Sequence, residues 1–377
     1  MTLLFPGVIC GMIAALLLGA HLATVALYLR RLRAPDVQQG PLGLPAVTLL
    51  RPVCGLDPFD AETLMSSFQQ DYPAYEVIFC APDADDAAVP LVRRLIAANP
   101  QVRARLLTGQ AAITQNPKLN NLAPGWQAAT TDWVCMTDSN LMLPPDYLRQ
   151  VVSAWRAGTG LVSCPALGSR PGNLGGSLEC AFLNSNQARV QFAAVSLGIG
   201  FAQGKTLFWN RAMLNKAGGI AALGRYLAED VNATKLVRAR GLRVSAPRLP
   251  FAQPVGMRSL RQVWDRQLRW SRVRRDGFPL LFAGEIANGA VLPALLALLA
   301  LQTAGLSPFW LVPFLAVWYG AEAALMRRPG WPCTLRDLAT LPLRDLALPA
   351  IWVATFLRRD IEWRGTAMPA NKADPAG

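Results

Sequence analysis

Residues 133–140 read Trp133-Val134-Cys135-Met136-Thr137-Asp138-Ser139-Asn140, an apolar run that turns polar within one step. The first four residues have the character of a buried strand, and the polar residues that follow are typical of a turn. Strands that read as continuous apolar runs belong to sheets covered by helices on both faces. This stretch therefore predicts an α/β domain with an acidic group at the carboxyl end of a strand.

Further strand-like and helix-like stretches surround this one. The apolar runs are Val47–Leu50, Val77–Cys80, Arg105–Leu107 and Leu161–Ser163, and the stretches with helical spacing are Pro58–Gln70 and Ala87–Ala98. Strand and helix alternate, so we expect a largely parallel sheet. Ligands of such sheets bind beyond the carboxyl ends of the strands, which is where Asp83 and Asp138 fall.

Apolar stretches outside this domain predict membrane helices. Residues 3–29 carry no charged side chain and are long enough to cross a hydrocarbon core of about 30 Å. Arg30, Arg31 and Arg33 follow at once, which puts the amino terminus outside and the next residues in the cytoplasm. Residues 286–304 and 309–326 predict a membrane hairpin. We interpret residues 338–357, which Arg344-Asp345 interrupts, as re-entrant or interfacial, with a full span as the alternative.

These patterns predict five parts in the chain. They are an amino-terminal membrane anchor (1–33), a cytoplasmic α/β domain (45–279), a membrane hairpin (280–328), a re-entrant or third carboxyl-terminal membrane segment (336–360) and a disordered tail (371–377). We therefore expect an integral membrane protein with a cytoplasmic catalytic domain. The frequent alanine and arginine residues suit a bacterial protein of the inner membrane.

Composition argues against a nucleic-acid partner. The chain of 377 residues is 52% hydrophobic and has a formal net charge of +13. Many of its arginines flank apolar stretches and do not alternate with aromatic residues, so contact with anionic lipid headgroups explains them better. The seven cysteines form no C-x-x-C pair, which indicates reduced thiols.

Asp138 and Asn140 are candidate metal ligands. Acidic groups spread along the chain as Asp83/Asp86, Asp138 and Glu229-Asp230 are typical of a nucleotide-sugar site. The diphosphate leaving group of such a donor needs its charge neutralised, and a divalent cation such as Mg²⁺ or Mn²⁺ does this with oxygen ligands alone. The carboxylate and the amide lie two residues apart after a strand, and both can reach one ion. The only histidine, His21, lies in the first membrane stretch and is excluded as a base elsewhere.

Other polar residues are candidates for donor binding and for base catalysis. Asp83 and Asp86 follow the second strand and are interpreted either as nucleotide contacts or as an acidic turn before a helix. Lys118 lies among amides in residues 116–122 and is a candidate diphosphate or nucleotide contact, with a surface loop as the alternative. Asp230 is a candidate base for an acceptor hydroxyl, and we expect Glu229 to face outward.

Two further basic stretches, one around Arg269 and one around Lys205, are candidates for phosphate binding. In the first, Arg269 is a candidate diphosphate ligand and Trp270 a wall of the acceptor pocket, with an interfacial cationic helix as the alternative. In the second, Gly204-Lys205-Thr206 resembles the end of a P-loop, but that motif needs glycine where Ile199 stands. The P-loop interpretation therefore fails.

As a set, these residues resemble the ceramide glucosyltransferase family, which are membrane-bound, inverting glycosyltransferases with a GT-A core. The resemblance extends from the amino-terminal anchor to Trp363-Arg364. It is carried by Arg51-Pro52 with Gly55 and Asp57-Pro58, Asp71-Tyr72-Pro73 with Tyr75-Glu76-Val77, Asn116-Pro117-Lys118 with Asn120-Asn121-Leu122, Asp138-Ser139, Ala217-Gly218-Gly219, Ala228-Glu229-Asp230, and Arg266 with Arg269-Trp270.

The resemblance implies a Rossmann-like GT-A domain and a role for each matching position. Asp83 or Asp86 would contact the nucleotide, Asp138 would bind metal and diphosphate, and Asp230 would be the catalytic base. Lys118 and Asn121 fall in the implied nucleotide-sugar site, and Arg266, Arg269 and Trp270 match the terminal motif implied to hold diphosphate and shape the acceptor site.

The implied reaction is inverting transfer of glucose from UDP-glucose to the primary hydroxyl of ceramide or a similar lipid. One departure concerns the acceptor, because Asn184–Arg189 lacks the histidine of the animal enzymes. The alternatives are transfer of N-acetylglucosamine to a hopanoid polyol, another lipid glycosyltransferase, a processive polysaccharide synthase, and an inactive membrane scaffold. Asn140 and Asn116-Pro117-Lys118 favour the ceramide branch over the hopanoid branch.

Overall fold

The computed structural model describes residues 4–33, 40, 42–225, 228–328, 330–357, 361–363 and 366–368. The strands are β1 (Val47–Pro52), β2 (Tyr75–Ala81), β3 (Arg103–Thr108), β4 (Trp133–Thr137), β5 (Thr159–Ser163), β6 (Ala166–Pro171), β7 (Thr206–Asn210), β8 (Arg243–Ser245), β9 (Phe251–Gly256), β10 (Ile361–Trp363) and β11 (Thr366–Met368).

The α-helices are α1 (Leu4–Arg33), α2 (Asp60–Met65), α3 (Val89–Ala98), α4 (Pro117–Ala128), α5 (Tyr147–Ser153), α6 (Leu174–Ala181), α7 (Arg189–Ser196), α8 (Arg211–Lys216), α9 (Glu229–Arg238), α10 (Leu260–Gly277), α11 (Pro279–Ala283), α12 (Val291–Thr303), α13 (Leu311–Met326) and α14 (Leu335–Leu357). A π-helix, Phe182–Ala188, joins α6 to α7, and short 3₁₀ turns occur at Ser66–Phe68, Ile220–Gly224, Gly284–Ala287 and Pro308–Trp310.

The chain forms two compact units that interleave along the sequence. The first consists of Met1–Arg33, Gly168–Ala193 and Val255–Ala367, and the second of Ala34–Leu167, Ala194–Pro254 and Met368–Gly377. The region predicted as one domain, residues 45–279, is thus divided between the two units. The predicted tail, residues 371–377, lies outside the described residues, as do the last three positions of the predicted segment 336–360.

The second unit is built on a seven-stranded sheet with the order β3-β2-β1-β4-β7-β5-β8. Neighbouring strands are parallel except at β7, which runs antiparallel to both β4 and β5. All five predicted strands are present, and the prediction of a largely parallel sheet is confirmed. Strand β7, which begins directly after Lys205, was not predicted.

Helix α4 packs on the sheet beneath the site described below. Its amino terminus is capped by Asn116, whose side chain accepts from the backbone N–H groups of Lys118 and Leu119. A Cβ at Gly125 would lie only 2.4 Å from Leu50 and 2.5 Å from Cys80, so this glycine lets the helix approach β1 and β2 closely. Trp126 of the same helix is buried in the core cluster. The cap and the close packing fix the position of Lys118.

The first unit contains the predicted membrane helices. Among the residues that the structure describes, three helices are long and apolar enough to cross a membrane: Pro6–Arg33, Pro308–Met326 and Leu335–Leu357. The first arm of the predicted hairpin is different, because Pro279–Ala287 and Val291–Thr303 meet at a bend of 55°. Leu335–Leu357, which we interpreted as re-entrant or interfacial with a full span as the alternative, is one continuous helix. The charges that interrupt this segment are neutralised inside the protein, where Arg344 binds Glu322 and Asp345.

Candidate active site

Asp138 is the first residue after β4, and Arg51 donates hydrogen bonds to the backbone of the turn that carries it. The Arg51 guanidinium donates to the carbonyl oxygens of Asp138 (2.8 Å), Ser139 (2.8 Å) and Leu141 (3.0 Å). Its other terminal nitrogen donates to Thr63 O and Ser67 Oγ. Burial lowers the pKa of Arg51 to about 10, so the group stays charged at neutral pH. A buried cation therefore fixes the turn that presents Asp138 and Asn140.

Two ammonium groups contact the Asp138 carboxylate. Lys118 Nζ lies 2.6 Å from Asp138 Oδ1, and Lys205 Nζ lies 3.0 Å from Asp138 Oδ2. Lys205 also donates to Asn140 Oδ1 over 3.1 Å. Burial by itself would raise the pKa of Asp138, but the charges of Lys118 and Lys205 outweigh it and hold that pKa well below its usual value. Asp138 is therefore ionised throughout the physiological pH range.

Glu229 joins this cluster, contrary to the expectation that it faces outward. Its Oε1 accepts from Lys118 Nζ at 2.7 Å, and its Oε2 accepts from Asn116 Nδ2 at 2.9 Å. Burial opposes a charge on Lys118, but Asp138 and Glu229 together raise its pKa above the usual value. The outward prediction was wrong because the partners of Glu229, Lys118 of α4 and its N-cap Asn116, lie 111 and 113 residues earlier in the chain.

Asp230 lies next to this cluster, and Gly204 connects the two. The backbone N–H groups of Val231 and Gly204 donate to Asp230 Oδ1 (2.8 Å) and Oδ2 (3.2 Å). The carbonyl oxygen of Gly204 accepts from Lys118 Nζ at 2.7 Å. Burial, followed by the negative charge of Glu229, raises the pKa of Asp230 to about 6. A carboxylate with a pKa near neutrality can accept a proton and release it again, as a general base must.

The side-chain oxygens at this site are of the types that bind hard divalent cations. Asp138 offers a carboxylate and Asn140 an amide oxygen, which are ligand types that Mg²⁺ and Mn²⁺ accept. Within the described part of the chain, no cluster of three or more histidine, cysteine or acidic side chains could hold a metal ion. A cation bound to Asp138 and Asn140 would meet the ammonium groups that already contact both residues.

Three predicted donor-binding residues have structural partners in the second unit. Asp86 accepts from the backbone N–H groups of Gly55 (3.0 and 2.9 Å) and Ala88 (2.8 Å), so it ties the segment after β1 to the segment after β2. Asp83 is exposed and accepts from the backbone of Asp85. The Asn121 side chain is buried and donates to the carbonyl oxygens of Val53 and Cys80.

The predicted terminal motif lies on α10, in the first unit. Arg266 binds Glu179 at 3.0 Å, and its guanidinium lies over the Trp270 ring, 5.0 Å from the centroid. Glu179 also accepts from Gln267. Arg269 is half-buried on the same helix. Of the predicted residues, the structure thus brings Lys118, Asp138, Asn140 and Asp230 together in the second unit.

Sequence reasoning missed two residues of this site. Lys205 was considered only as the end of a P-loop, and Arg51 only as part of a family motif. A signal for Lys205 does exist, because Leu207-Phe208-Trp209 reads as an apolar strand and a lysine just before it lies at a sheet edge. No local pattern marks Arg51, since an arginine in an apolar run finds carbonyl partners only after folding.

The mixed sheet has the arrangement of a GT-A glycosyltransferase fold. A mannosyltransferase of Pyrobaculum calidifontis, PcManGT, solved in complex with GDP-Man and Mn²⁺, superposes with a TM-score of 0.54 at 22% identity, covering 92% of this chain and 98% of that one. This likeness establishes the fold. The family profile of glycosyl transferase family 21 matches residues 11–374, so the chain belongs to that family.

Three proteins with similar sequences are ceramide glucosyltransferases. Ceramide glucosyltransferase 1 of Caenorhabditis elegans is 27% identical over 265 residues, which cover 70% of this chain and 57% of that protein. Ceramide glucosyltransferase 3 of the same organism is 25% identical over 333 residues, covering 85% and 72%. The enzyme of Komagataella phaffii is 37% identical over 118 residues, covering 30% and 23%. The chain thus spans little more than half the length of the first of these relatives.

Proposed function

We propose that the protein transfers glucose from UDP-glucose to the primary hydroxyl of ceramide or a ceramide-like lipid, with inversion at the anomeric carbon. The observation that carries this proposal is the link through Gly204 between two kinds of group. On one side Lys118 and Asp138 form a charged site for a diphosphate, and on the other Asp230 has a pKa near 6. A sugar transferase needs both groups a short distance apart.

In the proposed reaction, the lipid hydroxyl oxygen attacks the anomeric carbon as the bond from that carbon to the diphosphate oxygen breaks. Asp230 takes the hydroxyl proton, and UDP leaves with the bonding electrons. Lys118 stabilises the charge that develops on the diphosphate, because an ammonium in a site of low dielectric favours a nearby anion strongly. Direct displacement places acceptor and leaving group on opposite faces of the sugar, so the product is β-linked.

The remaining predicted residues have supporting roles in this proposal. Asp83 or Asp86 would contact the nucleotide and Asn121 would shape its pocket, while Arg266, Arg269 and Trp270 would serve the diphosphate and the acceptor. A divalent cation, Mg²⁺ or Mn²⁺, would be held by Asp138 and Asn140 and would neutralise the diphosphate when bound. The mannosyltransferase that shares this fold was solved with Mn²⁺, which supports this choice of ion.

The test is a matrix of donors and acceptors. Detergent-purified protein is incubated with Mg²⁺ or Mn²⁺, with UDP-glucose, UDP-galactose or UDP-N-acetylglucosamine, and with ceramide, diacylglycerol or a hopanoid polyol. The products are read by mass and by the anomeric proton coupling in NMR. Hexosylceramide in the β configuration, made from UDP-glucose, is the expected result. Product on the hopanoid alone, a polymer, or no product with any pair would overturn the proposal.

We also propose that the second unit faces the cytoplasm of the inner membrane. Cys54 lies in that unit and is exposed, as is Cys333 in the first unit. In a Cys333→Ser variant, a membrane-impermeant maleimide should label Cys54 in inverted inner-membrane vesicles and leave it unlabelled in intact spheroplasts. The Cys54→Ser, Cys333→Ser double variant is the control for other thiols. Labelling of Cys54 in spheroplasts would contradict this orientation.

A further inference from the structure

Lys205 is buried beside the two oxygens that a divalent cation would use. Only 8% of the residue is exposed, and it lies just before β7, where its carbonyl oxygen accepts from the backbone N–H of Asp138. Its ammonium lies 3.0 Å from Asp138 Oδ2 and 3.1 Å from Asn140 Oδ1. The side chains of Asp138 and Asn140 therefore already contact a buried ammonium group.

The balance of charge shows what Lys205 changes. Lys118 and Lys205 carry two positive charges, and Asp138 and Glu229 carry two negative charges, so these four side chains are neutral together, with the Asp230 carboxylate beside them as a further negative charge once it is ionised. Without Lys205 the group would carry one net negative charge and would attract a cation more strongly. With Lys205 it already holds an ammonium that can turn to an arriving diphosphate. Such charges act strongly on each other because the site is largely removed from water.

We propose that Lys205 is a diphosphate-binding residue of the donor site and that its ammonium competes with the divalent cation for Asp138 and Asn140. The inference rests on the proposed function, which makes this cluster the diphosphate site. If Asp138 and Asn140 held a cation, the Lys205 ammonium would leave both side chains and would pair with the diphosphate oxygens. When no cation is bound, Lys205 and Lys118 supply the positive charge themselves.

The experiment measures binding of the cation and of the nucleotide separately, without turnover. Mn²⁺ affinity of the nucleotide-free protein is measured by electron paramagnetic resonance, and UDP affinity is measured by calorimetry in excess EDTA. The variants are Lys205→Met, which keeps the chain length and removes the charge, and Lys205→Arg, which keeps the charge. Lys216→Met, an exposed lysine at the end of α8, is the matched control.

We expect Lys205→Met to bind Mn²⁺ about tenfold more tightly and UDP in EDTA about tenfold more weakly, as the loss of one charge-assisted contact implies. Lys205→Arg and Lys216→Met should bind UDP in EDTA nearly as the unmodified protein does. If Lys205→Met does not fold, Lys205→Gln replaces it, because its amide can still donate to Asn140.

Unchanged or weaker Mn²⁺ binding by the neutral variant would overturn the competition, and unchanged UDP affinity in EDTA would overturn the diphosphate role. Both outcomes leave the proposed function standing, provided that the unmodified protein binds UDP. If the unmodified protein binds no UDP with Mn²⁺ or with EDTA, the proposed function fails, and the inference about Lys205 fails with it.

Discussion

The backbone N–H of Gly204 donates a hydrogen bond of 3.2 Å to Asp230 Oδ2. The carbonyl oxygen of the same glycine accepts from Lys118. One peptide segment therefore lies between the proposed base and the lysine that pairs with Asp138 and Glu229. A substitution on one side of Gly204 should therefore change the electrostatics on the other side.

The activity should depend on the ionisation of Asp230. Burial raises the pKa of Asp230 to about 6, and only its ionised form can accept a proton. The rate should therefore rise as the pH increases through about 6 and level off above about 7, because a general base must be deprotonated to act. Asp230→Asn should lower kcat by about 10² to 10⁴-fold and leave UDP affinity nearly unchanged. Near-normal turnover by this variant would remove Asp230 from the base role.

Replacing Glu229 by glutamine should shift the acidic limb of the pH profile to lower pH. After burial, the negative charge of Glu229 is the main cause that raises the pKa of Asp230, and the charge of Lys118 lowers it. The variant removes the first effect and frees Lys118 to exert the second, so both changes act in the same direction. The measurement is kcat against pH for both proteins. A limb that stays in place or moves to higher pH would contradict this coupling.

Gly204→Ala should impair the site without a general loss of folding. A Cβ at this position would lie 2.6 Å from Glu229 Oε1 and 3.4 Å from Lys118 Nζ, so the ion pair between them must shift. We expect a loss of about tenfold or more in kcat/KM, the size of one charge-assisted hydrogen bond. Gly284→Ala is the control, because nothing lies within 4 Å of its added Cβ. Equal activities of the two variants would refute the prediction.

Arg51→Met should disorder the turn that carries Asp138. The change leaves the carbonyl oxygens of Asp138, Ser139 and Leu141 without their buried donor, at about 1–3 kcal/mol for each unsatisfied group. We expect a lower Tm and weaker UDP binding, with Arg51→Lys intermediate because an ammonium reaches fewer of these acceptors. Calorimetry of both variants checks this. Normal UDP affinity in Arg51→Met would show that the turn holds its shape without the guanidinium.

Arg344→Met should destabilise the first unit. Arg344 binds both carboxylate oxygens of Glu322 at 2.9 Å and Asp345 Oδ1 at 2.6 Å, and all three side chains are buried. Its removal leaves two buried carboxylates without their cation, which costs about 3–5 kcal/mol in comparable pairs. The Tm in detergent should fall clearly, whereas Arg261→Met, which breaks an exposed pair with Asp265, should leave it almost unchanged. Similar Tm values for the two variants would contradict this.

Much of the fold could be predicted because its signals are local. Strands β1 to β5 are short apolar runs, and each was found within a residue or two of its bounds. The bend between Pro279–Ala287 and Val291–Thr303 was not predicted, and a full span over residues 338–357 was kept only as the alternative to a re-entrant or interfacial segment. A hydropathy average does not reveal that Arg344 pairs with Glu322 and Asp345, and this pairing lets a charged stretch of the helix be buried.

The sequence by itself determined the α/β sheet, the apolar helices and the place of Asp138 at the end of a strand, because apolar periodicity and turn residues act over a few neighbours. Only the tertiary structure decided what Asp138 contacts. Lys118, Lys205 and Glu229 come from three separate segments, and their charges meet because α4, β7 and α9 pack around one edge of the sheet. The energy between two charges depends on the distance between them in space, and the spacing of residues along the chain does not reveal that distance.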